Sequence, residues 1–510
     1  MKDMALGIAR MDKAIQNGEH ILVAGDYDAD GVSSTSLMVR GLEDHGAIVS
    51  YRLPLRSEGY GLSKTIIDEA VADDVTLIIT VDNGITLVEQ VEYAKSQGID
   101  VIITDHHEPQ EQIPQALAVI NPKQSDCPYV TKELSGCGVA FKFLQALAEF
   151  TTGDSRKMER YLDIVTIGTV ADVMDLVGEN RLIVKFGLEQ MTDTHNRGIQ
   201  QLIQVLGLDE KEEITAKHIG WNIAPIINAA GRLGDPAEAV QLFLTDSRRV
   251  AHRVANELKL INDERRKLTE EWTKKIVKVV DAMPDLLAHH IMIIPFPAAV
   301  PEGLVGLIAG RLKERYSRPV ILLAPEAHNP LMYFGSGRSI PAYNMFDEIL
   351  PLKSMLEKFG GHGAACGMTI KREKIAELSR ILNEAAKGMN FDVRPRLFID
   401  YEIEPEHITK SFAEDLKLME PFGKGNSKPL FLLRDASAGD VKALGKTQTH
   451  LKMNAHVQNH VLEAIGFSMV DKWKAIGEPK RVDIAFYPGL NEWQGRVKVQ
   501  LEMQDIREAQ

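Results

Sequence analysis

Three short apolar runs, each stopped by an acidic residue, constrain the fold of this chain more than any other feature. Ile21-Leu22-Val23-Ala24, Val75 to Val81 and Val101 to Thr104 are rich in β-branched residues, and amphipathic stretches such as Val88 to Gln97 separate them. Strands alternating with helices at this spacing predict βαβ units and a parallel sheet. In open sheets of this kind ligands bind beyond the carboxyl ends of the strands, so the residues after each run matter most. Gly25-Asp26-Tyr27-Asp28-Ala29-Asp30-Gly31 follows the first run, Asp82-Asn83-Gly84 the second and Asp105-His106-His107 the third. A further apolar segment, Ile164 to Ala171, runs into Asp172. All of them read as delivering carboxylates, or carboxylates with imidazoles, to one edge of the sheet.

Carboxylates held this close repel one another and would take up protons unless positive charge sat among them. Divalent cations supply it. An oxygen-rich set with one or two imidazoles suits Mn²⁺ or Mg²⁺ better than zinc, which favours thiolate and histidine. Two such ions about 3.5–4 Å apart can share a carboxylate, activate a water and stabilise both oxygens of an in-line displacement at phosphorus. Each motif has a plainer reading when it stands alone. Asp-x-Asp-x-Asp-Gly is often a turn or a Ca²⁺ loop, Asn-Gly a tight turn, and a histidine pair a surface or core feature. The first motif lacks the downstream Glu of an EF-hand, and the recurrence of acids after apolar segments favours metal chemistry.

Asp26-Tyr27-Asp28-Ala29-Asp30-Gly31, Asp82-Asn83-Gly84, Asp105-His106-His107 and Asp172 resemble the motifs of the DHH phosphoesterases. Within that superfamily the chain is similar to the RecJ-like single-strand-specific 5′→3′ DNA exonucleases. The likeness extends, in order, through Arg56 to Leu62, Asn228 to Leu233, Gly335 to Ser339, Phe359 to His362, Pro421 to Asn426 and the closing Trp493 to Ile506 run. It covers nearly the whole chain.

The resemblance implies that Asp28, Asp30, Asp82, His106 and Asp172 hold two Mn²⁺ or Mg²⁺ ions, with Asp82 as the bridge. Asp26 and Asp105 are then ligands themselves or orient the ligands. It implies that His107 contacts the scissile phosphate or protonates the leaving oxygen, and that His362 contacts the phosphate opposite the metals. Arg56, Arg232, Ser336 and Arg338 match the family's contacts to the 5′-phosphate and backbone, where an arginine fork holds phosphate bidentately. Gly335 and Gly337 let the main chain approach closely. A surface ion pair is the plainer reading of each arginine. The chain departs from the family pattern in a short segment before Ile21, in Ile226 where an arginine is usual, and in Cys137 where an apolar residue is usual. None of these departures is expected to touch the metal set.

The remainder predicts the rest of the architecture. Val250, Val254, Leu258, Ile261, Leu268, Trp272, Ile276 and Val279 recur at helical steps, giving one long helix that bridges two lobes. Arg248, Arg249, Arg265, Arg266 and Lys267 lie on it and can track a phosphate backbone. A second α/β unit follows, with strands over Ile291 to Ile294 and Val320 to Leu323, a helix from Gly303 to Tyr316, and Gly-rich turns at Gly335 to Arg338 and Gly360 to Gly363. After Asn390, runs at Leu397 to Tyr401, Leu430 to Leu433, His450 to Met453, Val482 to Tyr487 and Val497 to Leu501, with a turn at Pro488-Gly489, predict a small antiparallel barrel. By resemblance it is an OB-fold that holds single strands, with Phe422 as a stacking platform and Lys424, Lys446, His450 and Lys452 as backbone contacts. At about 150 residues per domain the length allows about three domains. The expected division is a metal-binding catalytic domain over 1–205, a connecting region with the long helix over 206–285, a DHHA1-type substrate domain over 286–390 and the barrel over 391–510.

Composition limits the alternatives. A net charge of −13 argues against coating nucleic acid by bulk attraction, so basic grooves must be local. No run of 18 apolar residues occurs, no signal-like segment opens the chain, and three cysteines are too few for a disulfide framework, so a cytoplasmic setting is expected. The expected function is metal-dependent release of 5′-mononucleotides from single-stranded DNA bearing a 5′-phosphate, in repair and recombination. The protein is expected to act as a monomer, with a helicase and a single-strand-binding protein as candidate partners. A DHH-family oligonucleotidase or nucleoside-bisphosphate phosphatase is the enzymatic alternative, although those enzymes are shorter and lack the barrel. A non-catalytic replication or repair scaffold is the other, although such proteins normally lose ligands.

Overall fold

The computed structural model describes residues 1–209, 213–389, 396–493 and 495–509. Two compact units divide the chain, Met1–Met174 with Gly178–Pro395, and Asp175–Val177 with Arg396–Gln510. As expected, the architecture is α/β lobes followed by a β-barrel. Among the described residues no helix is long and apolar enough to cross a membrane.

The first lobe is built on a parallel sheet of β1 (His20–Ala24), β2 (Ile48–Arg52), β3 (Val75–Val81), β4 (Asp100–Thr104) and β5 (Ala118–Ile120), in the order β2-β1-β3-β4-β5. Side chains alternate along each strand, and here both faces are covered. Ile21, Val23, Leu77, Ile79 and Ile102 enter one apolar core, whereas Leu22, Ala24, Ile78, Val101 and Ile103 enter another. The register pairs Ala24 with Thr80 and Val81 with Thr104, so the residues after β1, β3 and β4 emerge at one edge.

Asp172 reaches that edge by a different route. Leu162–Ala171 is a helix, not a strand, and Asp172 is its C-cap. Seven consecutive residues, Asp163 to Thr169, are buried in it, and a segment buried all round shows no periodicity to separate helix from strand.

The helix Arg248–Asp281 has 34 residues, about 50 Å of helical rise. Its first half adds Ala251, Val254, Ala255 and Leu258 to the core of the first lobe, and its second half adds Ile276 and Val280 to the core of the second. The second lobe has the sheet order β6-β7-β8-β10-β9, from β6 (Met292–Pro295), β7 (Val320–Pro325), β8 (Met332–Arg338), β9 (Leu356–His362) and β10 (Ala365–Lys371). Only β6 and β7 run parallel. Of the two glycine-rich segments expected as turns, Gly335 to Arg338 lies inside β8, whereas Gly360 to His362 closes β9 and Gly363 stands in the turn into β10. A Cβ on Gly335 would stand 2.4 Å from the Leu322 carbonyl oxygen, and one on Gly337 would stand 2.2 Å from Met345 Sδ. These glycines admit a close neighbour strand and a packed methionine.

In the second unit β12 (Phe431–Leu444), β13 (His450–Val457), β14 (His460–Gly466), β16 (Arg496–Glu508) and β15 (Arg481–Trp493) follow one another, and pairing of β12 with β15 closes the barrel. All of these pairings are antiparallel except β14 with β16. Of the run Leu397 to Tyr401 only Tyr401 joins a strand, β11 (Tyr401–Glu402), which pairs parallel to β12. Pro488 and Gly489 lie within β15 opposite Leu501 and Gln500 rather than in a turn.

Candidate metal centre and phosphate grip

The loop after β1 is organised by its own acids. Asp28 caps the helix Ala29–Asp44, and its Oδ1 accepts the amides of Asp30 and Gly31, each at 2.9 Å. Asp30, buried in the first turn, is held from across the lobe. Its Oδ2 accepts the Gly136 amide at 2.7 Å and its Oδ1 the Cys137 amide at 3.0 Å, the first amides of the helix Gly136–Thr152. A helix N-terminus favours negative charge at this point. Cys137 therefore does touch the site, through its main chain, while its thiol is buried.

Asp82 has a left-handed backbone, φ 61°, which a non-glycine residue adopts at a cost of about 1–3 kcal/mol. The neighbours hold it there. Asn83 Nδ2 donates to the carbonyls of Ala24 at 3.1 Å and Val81 at 2.9 Å, joining the ends of β1 and β3. Tyr60 donates its hydroxyl proton to the Asp82 carbonyl at 3.0 Å. A Cβ at position 136 would stand 2.4 Å from Asp82 Oδ1, so only glycine leaves room for this carboxylate.

Around His106 Nε2 converge Asp82 Oδ1 at 3.1 Å, Asp172 Oδ2 at 3.5 Å and Asp30 Oδ2 at 4.0 Å. Burial, then the charge of His107, lowers the His106 pKa to about 3, so its imidazole is neutral and carries a lone pair. Burial, then mutual repulsion with Asp28 and Asp172, raises Asp30 and Asp82 well above the ordinary carboxylate range. Asp26 is raised as well, by burial and then by Asp28. Among the described residues Asp82 Oδ1 and Asp26 Oδ1 are buried without a hydrogen-bond partner. Asp82, His106 and His107 form one group with ligand atoms within 4.8 Å of one another, and Asp30, His106 and Asp172 form a second. Crowded carboxylates, an uncharged imidazole and an orphaned buried oxygen fit a divalent cation with oxygen preference.

Asp105 is used up otherwise. Its Oδ2 accepts the Ile85 amide at 2.8 Å, while its Oδ1 accepts the His106 amide at 2.7 Å and meets His107 Nδ1 at 2.8 Å. Burial alone would lower the His107 pKa, but the hydrogen bond and charge of Asp105, with Asp172 and Asp28, raise it to about 9. His107 is thus a cation at neutral pH, half-open to solvent, with Tyr60 Oη 3.3 Å from its Nε2.

A cationic group stands beside the carboxylates. Arg56 lies with its guanidinium carbon 4.4 Å from the Tyr27 ring centroid and donates to the Gly231 carbonyl at 3.2 Å. Arg232 donates to the Gly303 carbonyl at 3.0 Å. Burial, then repulsion from Arg56, Arg265 and Arg338, lowers its pKa to about 10. Arg338 donates to Ser336 Oγ at 2.6 Å and to the Gly337 carbonyl at 2.7 Å. The register places Ala365 opposite Arg338 on one side and His362 on the other. His362 is exposed, and burial and the charge of Arg338 lower its pKa. Among the described residues no carboxylate forms an ion pair with Arg56, Arg232 or Arg338, and such a cluster calls for an anion from outside. Ile226 belongs to the apolar core rather than to this group.

In the second unit Lys424 is paired with Asp175 at 3.1 Å and Lys452 with Glu463, while His450 Nδ1 accepts the Ser468 amide at 3.0 Å. Phe422 is half-buried.

Family models match the chain in order: the DHH family N-terminal domain over residues 20–169, the DHHA1 domain over 289–388 and the RecJ OB domain over 399–505. The chain is 33% identical over 525 residues to the single-stranded-DNA-specific exonuclease RecJ of Escherichia coli, covering 97% of this chain and 88% of that protein. The chain belongs to the RecJ family. Identity with RecJ of Bacillus subtilis is 36% over 508 residues, and the chain spans 63% of that relative's length. The crystal structure of RecJ in complex with Mn²⁺ from Thermus thermophilus matches all of this chain and 72% of that one, with TM-score 0.85 and 29% identity. Its Mg²⁺ complex matches with TM-score 0.79 and 28% identity. The cofactor class of the RecJ family agrees with the donor set found here.

Tyr60, Asn228 and Arg265 received no specific role from the sequence, yet each reaches the site. Asn228 Oδ1 accepts the Ala29 amide at 3.0 Å, and buried Asn262 orients the Arg265 guanidinium through contacts of 2.8 and 3.1 Å. Tyr60 and Asn228 lie inside the stretches that resemble the family, beside charged neighbours that carry the plainer signal. Arg265 carried only the general signal of a basic helix face.

Proposed function

We propose that this chain is a metal-dependent exonuclease that removes 5′-mononucleotides from single-stranded DNA, starting at a phosphorylated 5′ end. The observation that carries the reading is the adjacency of two chemically opposite groups. Buried acids around neutral His106 stand next to arginines that form no ion pair with a carboxylate among the described residues.

Asp28, Asp30, Asp82, His106 and Asp172 would hold Mn²⁺ or Mg²⁺. When bound, such ions acidify a water and neutralise charge building on the phosphoryl oxygens. Arg56, Arg232, Arg338 and Ser336 hold the terminal 5′-phosphate, so the first internucleotide phosphate falls at the acids and the polarity is 5′→3′. His107, protonated and aimed by Asp105, donates its proton to the leaving 3′-oxygen as the P–O3′ bond breaks. Water supplies the oxygen gained by the new 5′-phosphate, which becomes the end for the next round. Asp26 tunes the charge of the loop after β1, and His362 meets the phosphate from the side of β9. Gly335 and Gly337 serve this grip by allowing Ser336 and Arg338 to pack between β7 and β10. Phe422 and Lys424 of the second unit hold the single strand.

An enzyme restricted to single strands relies on a helicase to expose them and meets single-strand-binding protein on them. One chain carries every residue named, so a monomer suffices. The free, buried cysteines fit a reducing cytoplasm.

The test is digestion of end-labelled strands of both polarities, with and without a 5′-phosphate, in Mn²⁺ and in Mg²⁺. Release of mononucleotides from phosphorylated 5′ ends, with duplex spared, is expected. Intact 5′-phosphorylated single strands after incubation with Mn²⁺ would sink the reading.

A further inference from the structure

The segment leading into Asn228 and Arg232 contains a feature that hydrolysis as described does not use. Ile219–Ile223 is a single π-helical turn that runs directly into the helix Ala224–Leu233. Such turns are rare and gather at functional sites. Burial divides the stretch into two faces. Ile223, Ile226, Ile227, Ala229 and Ala230 are buried, whereas on the other side Trp221 is exposed and Pro225, Asn228 and Arg232 are half-buried. Trp221 is 78% exposed.

That second face is engaged at two points already. Asn228 accepts the amide of Ala29, between Asp28 and Asp30, and Arg232 belongs to the arginine group. Trp221 lies seven residues before Asn228, about 10 Å along the axis and on the side away from Arg232. Its turn packs against the end of the helix that delivers Asp172, since a Cβ at Gly220 would lie 3.8 Å from Val170 Cγ1. Val173, three residues further on, is 60% exposed. A large indole left in water here is an aromatic surface on a turn that packs against the helix ending at Asp172 and leads into the helix carrying Asn228 and Arg232. Aromatic faces hold unpaired bases by stacking whatever their sequence.

We propose that Trp221 is the stacking platform for a base of the single strand a few nucleotides to the 3′ side of the bond that is cut. The proposal rests on the exonuclease reading. With the 5′-phosphate at Arg232 and the scissile phosphate at the loop that Asn228 touches, the strand continues along the same helix face to Trp221. Bases in a duplex are already paired and stacked on their neighbours, so this platform also favours single strands over double strands.

An abasic scan tests it. Strands with a 5′-phosphate and one abasic residue, moved position by position from the 5′ end, are cut by wild type, Trp221→Ala and Trp221→Phe, and KM and kcat are measured for the first bond. One position close to the cut should raise the wild-type KM five-fold or more. Trp221→Ala should show that rise on intact strands and no further loss at that position, and Trp221→Phe should restore most of it. An unchanged KM in Trp221→Ala overturns the proposal, as does a loss that adds in full to that of every abasic position. Titration of tryptophan fluorescence with oligothymidylate needs no turnover and separates this proposal from the exonuclease reading. Quenching weakened in Trp221→Phe supports the platform, and equal quenching in both proteins overturns it even where no strand is cut.

Discussion

Asp105 Oδ1 and His107 Nδ1 lie 2.8 Å apart, and the same oxygen also accepts the amides of His106 at 2.7 Å and His107 at 3.1 Å. One buried carboxylate thereby orients the cationic imidazole of the site and anchors the chain that carries the neutral one.

This pair sets a pH limit. His107 is held near pKa 9 and in the proposed mechanism acts in its protonated form, so activity should fall as pH rises through that value. Asp105→Asn removes the charge that raises His107, so the alkaline fall should move to lower pH. At pH 8 the loss in kcat should be about 10²-fold, the usual scale of one general acid. A pH–rate profile of both proteins checks it, and an unmoved alkaline limb rules it out.

Asp82→Asn separates chemistry from stability. Asparagine tolerates the left-handed backbone at position 82 and removes one of several mutually repelling buried charges. With Asp82 as the proposed shared ligand, activity should fall by about 10³-fold or more. The melting temperature in EDTA should hold or rise, while the increase that Mn²⁺ gives wild type by binding the folded state should largely vanish. Thermal melts with and without metal read both effects.

Arg232 offers a substrate-specific outcome. Arg232→Gln deletes a charged donor from the anion group, worth about 1.5–3 kcal/mol per hydrogen bond. KM for 5′-phosphorylated strands should rise about 10- to 100-fold on that scale, while cutting of 5′-hydroxyl strands changes little. Equal losses on both substrates would speak against a role at the terminal phosphate.

A fourth expectation concerns acid stability away from the site. Glu19 is partly buried, yet the hydrogen bonds of Arg10, Thr76 and Asn17 lower its pKa to about 2 from 4.5. A depressed carboxylate stabilises the fold fully above its unfolded pKa, and that stabilisation disappears as pH falls from 4.5 toward 2. Glu19→Gln should therefore be less stable than wild type at pH 7 and nearly equal to it near pH 2. Urea midpoints at the two pH values decide the matter.

Much of this protein can be read from local sequence, and the limits of that reading are instructive. Runs such as Val75 to Val81 announce strands because their β-branched residues and flanking polar turns act within a few residues of chain. Acids placed directly after such runs must emerge at one sheet edge, so Asp26, Asp28, Asp30, Asp82 and the Asp105 segment were legible as a group. Ile164 to Ala171 was not legible as a helix, because burial on every side erases the period that distinguishes the two structures. Nor did Gly335 and Gly337 disclose that they sit in a strand, where Leu322 and Met345 exclude any Cβ.

The division is sharpest among the acids themselves. Sequence alone determined that many carboxylates and two imidazoles gather at one place, because strand direction is a local property. Which of them keep an oxygen for a cation was decided only by tertiary structure. Asp105 loses its oxygens to Ile85, His106 and His107, Asp28 spends one on a helix cap, and Asp82 keeps Oδ1 because residue 136 is glycine. The cap and the two histidines are neighbours in the chain, but Ile85 and Gly136 come from other segments, and their approach to Asp105 and Asp82 exists only once the lobe has closed.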